Sequence, residues 1–176
     1  MVRHWFTTYL TQFYSQNTSL GLDVGCGKKP YIDFFQCEYI GIDLPKKNSN
    51  DFYPDVFSSA ENLPFKNNQF DFLTCYSVIP YIENIEKFLN EINRVCKNNA
   101  IAVIIIMNLK ALSKDPDGYY PNRLSSRELT KIFENHGFKS IKSKNLKTLF
   151  WSTYFNLTSV YSYAILKCNK KNSEEN

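Results

Sequence analysis

The sequence of 176 residues has few of the side chains that build metal centres or disulfide frameworks. It contains two histidines and five cysteines, and the cysteines are scattered with no Cys-x-x-Cys pair among them. A disulfide framework needs paired cysteines, and a structural zinc site needs closely spaced cysteine and histidine ligands. We therefore expect no metal site and no structural disulfide.

Long hydrophobic runs are also missing. The longest uninterrupted apolar run, residues 100–107, is far shorter than the about 20 residues that a membrane-spanning helix needs. The first residues do not combine an apolar core with a small-residue cleavage site, so we expect no signal peptide. These absences predict no membrane span and a cytoplasmic location.

What the chain does contain is typical of one soluble globular domain, with 43% hydrophobic and 22% charged residues. Its net charge of +4 is unevenly placed, because seven lysines and no acidic residue lie between Asn135 and Ser173. Such a region has two interpretations, a solvated surface or a binding surface for an anionic partner. We leave the oligomeric state open.

Glycine is scarce, with six residues in the chain, and two of them form one short motif. An apolar segment ends in Asp23, and Gly25-Cys26-Gly27 follows it. Such a turn is either an ordinary link between a strand and a helix or a loop that lets a cofactor approach bare backbone. A dinucleotide fingerprint would place a third glycine where this chain has Pro30, so a pyrophosphate site is disfavoured.

Hydrophobic periodicity predicts alternating strands and helices. Aromatic residues at spacings of three and four predict an amphipathic helix in residues 1–19, packed on the domain. Residues 45–57 are polar and contain prolines, so no full helix is expected there. Strands are predicted at residues 19–24, 39–43, 70–75, 100–106, 138–144 and 157–167, and helices at 31–36, from about 84 to 96, and from 125 to 137.

This order of elements predicts a doubly wound α/β sheet, in which ligands bind outside the carboxyl ends of the strands. The run at residues 100–106 is apolar throughout, which is typical of a central parallel strand covered on both faces. Residues 157–167 alternate between two faces, which predicts a closing antiparallel strand. We expect an N-terminal helix over residues 1–19, one domain over 20–168, and a disordered polar tail over 169–176.

Six short motifs, in this order and spacing, resemble the class I S-adenosylmethionine-dependent methyltransferases with a methyltransferase-11-type domain. The first is Leu-Asp-Val-Gly-Cys-Gly at residues 22–27, and the second is Tyr-Ile-Gly-Ile-Asp at 39–43. The third is Ala-Glu-Asn-Leu-Pro-Phe at 60–65, followed by Phe-Asp at 70–71. Residues 78–82, 91–95 and 137–138 complete the series, so the resemblance covers roughly residues 19 to 140.

The resemblance implies a Rossmann-like, doubly wound, mostly parallel seven-stranded sheet with an antiparallel closing strand and helices on both faces. It also implies S-adenosylmethionine as cofactor and S-adenosylhomocysteine as product. Asp43 would hold the ribose hydroxyls, its alternative interpretation being a strand-end cap, and residues 59–61 would lie beside the adenine. The cofactor-binding residues implied are Asp23, Gly25, Cys26, Gly27, Asp43, Leu44, Ser59, Ala60, Glu61 and Tyr76.

Two departures from the family pattern bear on the chemistry. Lys29 stands where the family commonly has glycine, and Tyr81 stands where it often has histidine, so a histidine base is not available at that position. Lys28 or Lys29 either meets the methionine carboxylate or is an ordinary solvated lysine. Tyr76 and Tyr81 either line the sulfonium or pack in the core.

The acceptor site is predicted beside Tyr76 and Tyr81, near Asn108 and the segment 115–123. The catalytic candidates are Tyr81, Asp117, Tyr120 and Arg123, with Asp117 or Tyr120 as base and Arg123 as an anion anchor; ordinary loop packing is the alternative.

The sequence predicts methyl transfer to an oxygen or nitrogen atom of a small molecule or saccharide. Alternatives are an RNA methyltransferase that uses the basic C-terminal third and its aromatic residues, and a non-catalytic S-adenosylmethionine-binding module. A nicotinamide oxidoreductase is disfavoured by Pro30.

Overall fold

The computed structural model describes residues 2–45, 54–107, 120–122, 124–146 and 161–170. These residues form three α-helices, seven strands and two single turns of 3-10 helix at Ile32–Phe34 and Ile79–Tyr81. The helices are α1 (Val2–Tyr14), α2 (Ile85–Val95) and α3 (Ser126–Asn135). The strands are β1 (Leu20–Val24), β2 (Glu38–Asp43), β3 (Val56–Phe57), β4 (Phe70–Tyr76), β5 (Cys96–Met107), β6 (Phe138–Leu146) and β7 (Tyr161–Cys168).

The strands form one sheet in the order β3-β2-β1-β4-β5-β7-β6. The five strands β3, β2, β1, β4 and β5 pair in parallel in that order. Strand β7 is antiparallel to both of its neighbours, β5 and β6. The predicted mostly parallel, doubly wound sheet with an antiparallel last strand is therefore confirmed. The predicted start of that strand, residues 157–160, lies outside the described residues.

Apolar side chains cover both faces of the sheet. On one face α2 buries Phe88 and Leu89 beside β5, and α3 buries Phe133 against β6 and β7. On the other face α1 packs Leu10 and Phe6 against β5 and β7. Ala100 and residues 102–106 of β5 are buried, as the apolar run at residues 100–106 predicts.

Polar residues at the helix ends fix where α2 and α3 begin. The Asn84 side chain accepts a hydrogen bond from the Lys87 amide at the start of α2. The predicted capping box at the start of α3 is present, with Ser125 and Glu128 bonded to each other's backbone amides. Gly137, with φ of +79°, follows the end of α3, where a left-handed residue is favoured.

Several boundaries differ from the sequence-based expectation. Helix α1 ends at Tyr14, and the predicted helix at residues 31–36 is only the 3-10 turn Ile32–Phe34. Cys96, predicted as the end of the helix that begins at about residue 84, is buried but is the first residue of β5. Next to β7, the Asn169 amide donates to the Gly137 carbonyl, and the Lys170 amide donates to Oδ1 of Asn98. None of the described helices is long and apolar enough to cross a membrane.

Strand β3 lies in the polar stretch, residues 45–57, where no full helix was expected. Its two residues pair in parallel with Ile42 and Asp43 at the end of β2. Asp55, directly before β3, accepts a hydrogen bond from the Gly41 amide at 2.7 Å and donates its own amide to the Gly41 carbonyl at 2.8 Å. The short strand thus aligns the start of the following loop with the end of β2.

Candidate functional site

Two adjoining cavities lie at the carboxyl ends of β1, β2 and β4. The smaller has a volume of about 230 Å³ and reaches Asp23. The larger has a volume of about 810 Å³ and reaches Asp43 and residues 58–61. Gly25, Gly27 and Tyr76 line both cavities, so together they form one cleft. This is where a doubly wound sheet is expected to bind its ligand.

The two glycines of the turn after β1 have different surroundings. Both have positive φ, +72° at Gly25 and +56° at Gly27. A Cβ atom on Gly25 would lie 2.1 Å from Cγ2 of Val78, so glycine is required there for packing. A Cβ atom on Gly27 would meet nothing within 4 Å, because this residue faces the open cleft. The turn therefore leaves bare backbone in contact with the space that a ligand would fill.

Asp43 ties the end of β2 to this turn. Its Oδ2 accepts a hydrogen bond from the Gly27 amide at 2.9 Å, and its Oδ1 accepts one from the Leu44 amide at 2.8 Å. The carboxylate is half-buried and lines the larger cavity, where it retains further lone pairs for hydroxyl donors. The strand-end cap predicted as an alternative is present, and it holds the carboxylate at the cavity wall.

The segment of residues 59–61 also lines the larger cavity. The Glu61 amide donates to Oγ of Ser59 at 3.1 Å, which folds the segment into a turn. Oε1 of Glu61 accepts hydrogen bonds from the amides of Glu83 and Asn84, at 2.9 and 3.2 Å. The Glu61 carboxylate therefore joins this segment to the start of α2, and the segment offers the cavity its main chain around Ala60.

Helix α2 holds the loop that follows this segment, residues 63–65, through two charged side chains. Arg94 donates to the carbonyls of Leu63 and Phe65, at 2.9 and 2.7 Å, and binds the carboxylate of Glu91. Glu91 in turn accepts the Leu63 amide at 2.7 Å. The motif at residues 91–95 thus holds the loop of the motif at residues 60–65, an arrangement that neither motif indicates alone.

Asp23 is the most deeply buried ionisable residue of the cleft, with 2% of its surface exposed. Its Oδ1 accepts a hydrogen bond from the Thr74 hydroxyl at 2.7 Å, and its Oδ2 accepts one from the Tyr39 hydroxyl at 3.0 Å. Burial raises the pKa of Asp23 to about 6, although both hydrogen bonds oppose the shift. The carboxyl group can therefore change charge close to neutral pH.

Cys26, between the two glycines, is also buried. Burial, with the nearby charges of Asp23 and Asp43, raises the pKa of Cys26 to about 12. The thiol stays protonated at neutral pH, and its Sγ lies 3.7 Å from the Gly27 carbonyl oxygen. Cys26 therefore serves the packing of the turn rather than as a nucleophile.

Helix α1 closes one side of the smaller cavity. Thr7 lines this cavity, and Oγ1 of Thr11 is hydrogen bonded to Oη of Tyr76 at 2.8 Å. Tyr76 also packs edge-on against Tyr31, with ring centroids 5.2 Å apart. Sequence periodicity predicts that α1 packs on the domain, but no pattern indicates that its threonines reach the cleft.

The two lysines after the turn have different surroundings. Lys28 lines the smaller cavity. Lys29 has positive φ, and its Nζ forms an ion pair with Oδ1 of Asp55 at 2.6 Å. Of the two lysines proposed for a cofactor carboxylate, the structure therefore places only Lys28 at the cleft.

Two of the catalytic candidates lie together. Tyr81 and Tyr120 pack edge-on with ring centroids 5.3 Å apart, and Tyr81 lines the larger cavity with about half of its surface exposed. The Asn122 side chain donates to the Ile79 carbonyl at 3.1 Å and so joins this segment to the turn that carries Tyr81. The candidates Asp117 and Arg123, like Asn108, lie outside the described residues.

Comparison with known proteins gives one family. The profile of the methyltransferase-11-type family, described as a methyltransferase domain, matches residues 22–104. Two proteins of Methanocaldococcus jannaschii, both named as uncharacterized, are 30% identical over 142 residues and 28% identical over 136 residues. These alignments cover 78% and 70% of this chain, and 62% and 66% of the relatives, so the chain spans less than two thirds of either relative.

Solved structures share the fold at low identity. A complex between the Trm112 methyltransferase activator of Haloferax volcanii and a methyltransferase matches with a TM-score of 0.74 and 14% identity, over 97% of this chain and 92% of that one. An S-adenosylmethionine-dependent methyltransferase from Archaeoglobus fulgidus matches with a TM-score of 0.69 and 17% identity, over 94% of each chain. The matched profile identifies residues 22–104 as a methyltransferase domain, and the solved structures share its fold.

Proposed function

We propose that the protein transfers the methyl group of S-adenosylmethionine to an oxygen or nitrogen atom of a small-molecule or saccharide-type acceptor. The observation that carries this proposal is the open space at Gly27, where a Cβ atom would meet nothing within 4 Å. Gly27 borders both cavities, and its amide donates to the Asp43 carboxylate. The smaller cavity also reaches the buried carboxyl group of Asp23. A phosphate-free ligand with a ribose and a cationic end fits this set of groups.

Each part of the cofactor has a proposed partner in the cleft. The ribose hydroxyls donate to Asp43, and the adenine lies beside the main chain of residues 59–61. The amino acid end occupies the smaller cavity, where Asp23 faces the ammonium group and Lys28 faces the carboxylate. Tyr76, which lines both cavities, then stands where the two ends of the cofactor meet.

When bound, the cofactor supplies a methyl group on a positively charged sulfur. The protein's part is to place the acceptor in line with that group, exclude water, and receive the proton that the acceptor loses. The exposed ring of Tyr81, with Tyr120 against it, forms the proposed acceptor wall of the larger cavity. Asp117 or Tyr120 is the proposed base, and Arg123 the proposed anchor for an anionic acceptor.

Calorimetric titration tests the cofactor. S-adenosylhomocysteine should bind the wild-type protein, and NAD should not. Asp43→Asn keeps one oxygen to cap the turn but removes the charge, so it should weaken S-adenosylhomocysteine binding roughly tenfold or more. If NAD binds and S-adenosylhomocysteine does not, the proposal is wrong. Transfer of a labelled methyl group to a panel of acceptors then separates an enzyme from a module that only binds the cofactor.

A second candidate, an RNA methyltransferase, is favoured by one observation. The edge strand β6 exposes Lys139, Lys142 and Lys144. Phosphate contacts of lysines weaken steeply as salt rises. Retention of the protein on RNA that falls with salt, together with methyl transfer to that RNA, would support this candidate over a small-molecule acceptor.

A further inference from the structure

Asp23 receives one hydrogen bond from each of the strands that flank it. We infer that Tyr39 and Thr74 are positioning residues that orient the Asp23 carboxylate toward the cationic amino acid end of the cofactor and keep it charged. This inference rests on the proposed function. It concerns two side chains that belong to none of the predicted cofactor contacts.

The geometry of the three strands places these donors. In the sheet, Asp23 of β1 lies opposite Gly41 of β2 and opposite Thr74 of β4. Thr74 is fully buried and donates to Oδ1 at 2.7 Å, and Tyr39 donates to Oδ2 at 3.0 Å. Because each oxygen is held by one donor, the rotation of the carboxyl group is fixed and further lone pairs remain for a ligand.

Gly41 makes the contact from Tyr39 feasible. Tyr39 lies two residues before Gly41 on the same face of β2, so its side chain runs along the strand past Gly41 toward Asp23. A Cβ atom on Gly41 would lie 2.5 Å from the Tyr39 hydroxyl oxygen. The ring of Tyr39 is further fixed edge-on against Phe35, with centroids 4.7 Å apart. Burial raises the pKa of Tyr39, so the hydroxyl keeps the proton that it donates.

Several charged and titratable groups surround Asp23 and set the conditions for its ionisation. Asp43 at the end of β2 raises the pKa of Asp23, and Lys29, whose Nζ lies 5.8 Å from the centre of the Tyr39 ring, lowers it. The other groups near the carboxyl are the thiols of Cys26 and Cys75, the hydroxyl of Tyr76, and Lys28, which lines the same cavity.

Ionisation of Asp23 should therefore be linked to cofactor binding. A bound ammonium group favours the carboxylate over the neutral acid, so binding near pH 6 releases a proton. Affinity for the cofactor is then constant well above this pH and falls below it, by up to about tenfold per pH unit. Tyr39 and Thr74 lower the pH at which this fall begins, because their hydrogen bonds favour the charged carboxylate.

The test is titration with S-adenosylhomocysteine, which carries the ammonium group, at a series of pH values on both sides of about 6. Tyr39→Phe and Thr74→Val each remove one donor hydroxyl. Each should move the inflection in affinity upward by roughly one pH unit, the value of one net hydrogen bond. Asp23→Asn should bind more weakly and lose the inflection. Tyr14→Phe, which changes a tyrosine of α1 packed on the same face of the sheet, is the matched control and should keep the wild-type inflection.

The outcomes separate this inference from the proposed function. If S-adenosylhomocysteine fails to bind the wild-type protein at every pH, the proposed function itself is wrong. If it binds but Tyr39→Phe and Thr74→Val keep the wild-type inflection, the cofactor assignment stands and the positioning roles are overturned. Thermal unfolding shows whether each variant is folded. If one of the two donor variants is not folded, the inflection of the other tests the positioning role.

Discussion

At the scale of single residues, the two glycines of the turn after β1 have different roles. Gly25 is needed for packing, and Gly27 faces the space proposed for the ligand. Gly25→Ala would bring a Cβ atom within 2.1 Å of Val78, so the free energy of unfolding should fall by at least about 2 kcal/mol. Gly27→Ala adds a methyl group to open space and bears only the cost of its positive φ, about 1 kcal/mol. We expect Gly27→Ala to remain folded and to lose affinity for S-adenosylhomocysteine.

Urea unfolding and calorimetric titration of the two variants provide the comparison, each variant serving as the control for the other. Equal losses of stability would contradict the difference in packing around the two residues. Unchanged binding by a folded Gly27→Ala protein would contradict the placement of the ligand against this turn.

The sequence predicts the turn and both carboxylates, but not the neighbours that fix Asp23. Tyr39 and Thr74 are 16 and 51 positions away from Asp23 along the chain. They meet it only because β2 and β4 lie on either side of β1 with one particular register. Periodicity identifies strands, yet the partner across a strand depends on strand order and register, which a single sequence does not contain.

At the scale of secondary structure elements, α2 and the loop at residues 63–65 depend on Arg94. Arg94→Met keeps much of the aliphatic stem but removes the guanidinium that donates to the carbonyls of Leu63 and Phe65 and pairs with the carboxylate of Glu91. We expect the free energy of unfolding to fall by about 1–3 kcal/mol and amide exchange to rise across residues 59–65. Hydrogen exchange measured by mass spectrometry gives both the size and the location of the change.

Lys87→Ala is the control on the same helix, because the Lys87 side chain is exposed. This variant should leave exchange at residues 59–65 as in the wild type. If Arg94→Met increases exchange evenly over the molecule, or not at all, the loop does not depend on Arg94 as described.

Elements with a strong local signal are predicted well, and short ones are not. The apolar run of β5 and the capping box of α3 each give an unambiguous pattern, and both elements are present. Strand β3 has only two residues and is formed by pairing with Ile42 and Asp43, so its own sequence carries no period to detect. The boundary between α2 and β5 was missed because no turn residue separates them; Cys96 follows Val95 directly from helix into strand.

At the scale of the whole molecule, the buried carboxyl group of Asp23 should make stability depend on pH. Its pKa is about 6 when folded and 3.8 as the ordinary value, so the folded state binds the extra proton between these two pH values. Stability contributed by this residue is therefore greatest below pH 3.8 and is lost as the pH rises through about 6. The loss amounts to roughly 3 kcal/mol at neutral pH.

Urea unfolding of the wild type and of Asp23→Asn over this pH range tests the linkage. The difference between the two free energies should change across the window from pH 3.8 to about 6 and be constant above it. Parallel curves for the two proteins would show that Asp23 does not titrate in this window.

Asp71 affects the stability of the folded state at lower pH than Asp23 does. Burial alone would raise the pKa of Asp71, but hydrogen bonds from Leu20, Lys97 and Ser19 together outweigh it and lower the pKa to about 2. Its contribution is present above the ordinary value of 3.8 and is lost as the pH falls toward 2. Because Asp71 is unchanged in both proteins, its effect cancels in the comparison with Asp23→Asn.

Because β7 lies between β5 and β6, the order of the strands at this edge of the sheet differs from the order in which they are synthesised. The ribosome makes β6 before β7, yet among the described strands β7 is the neighbour that joins β6 to the sheet. Until residues 161–168 have left the ribosome, β5 keeps an apolar, unpaired edge that other chains can add to. The open edge of β5 is therefore covered only after β7 has been made.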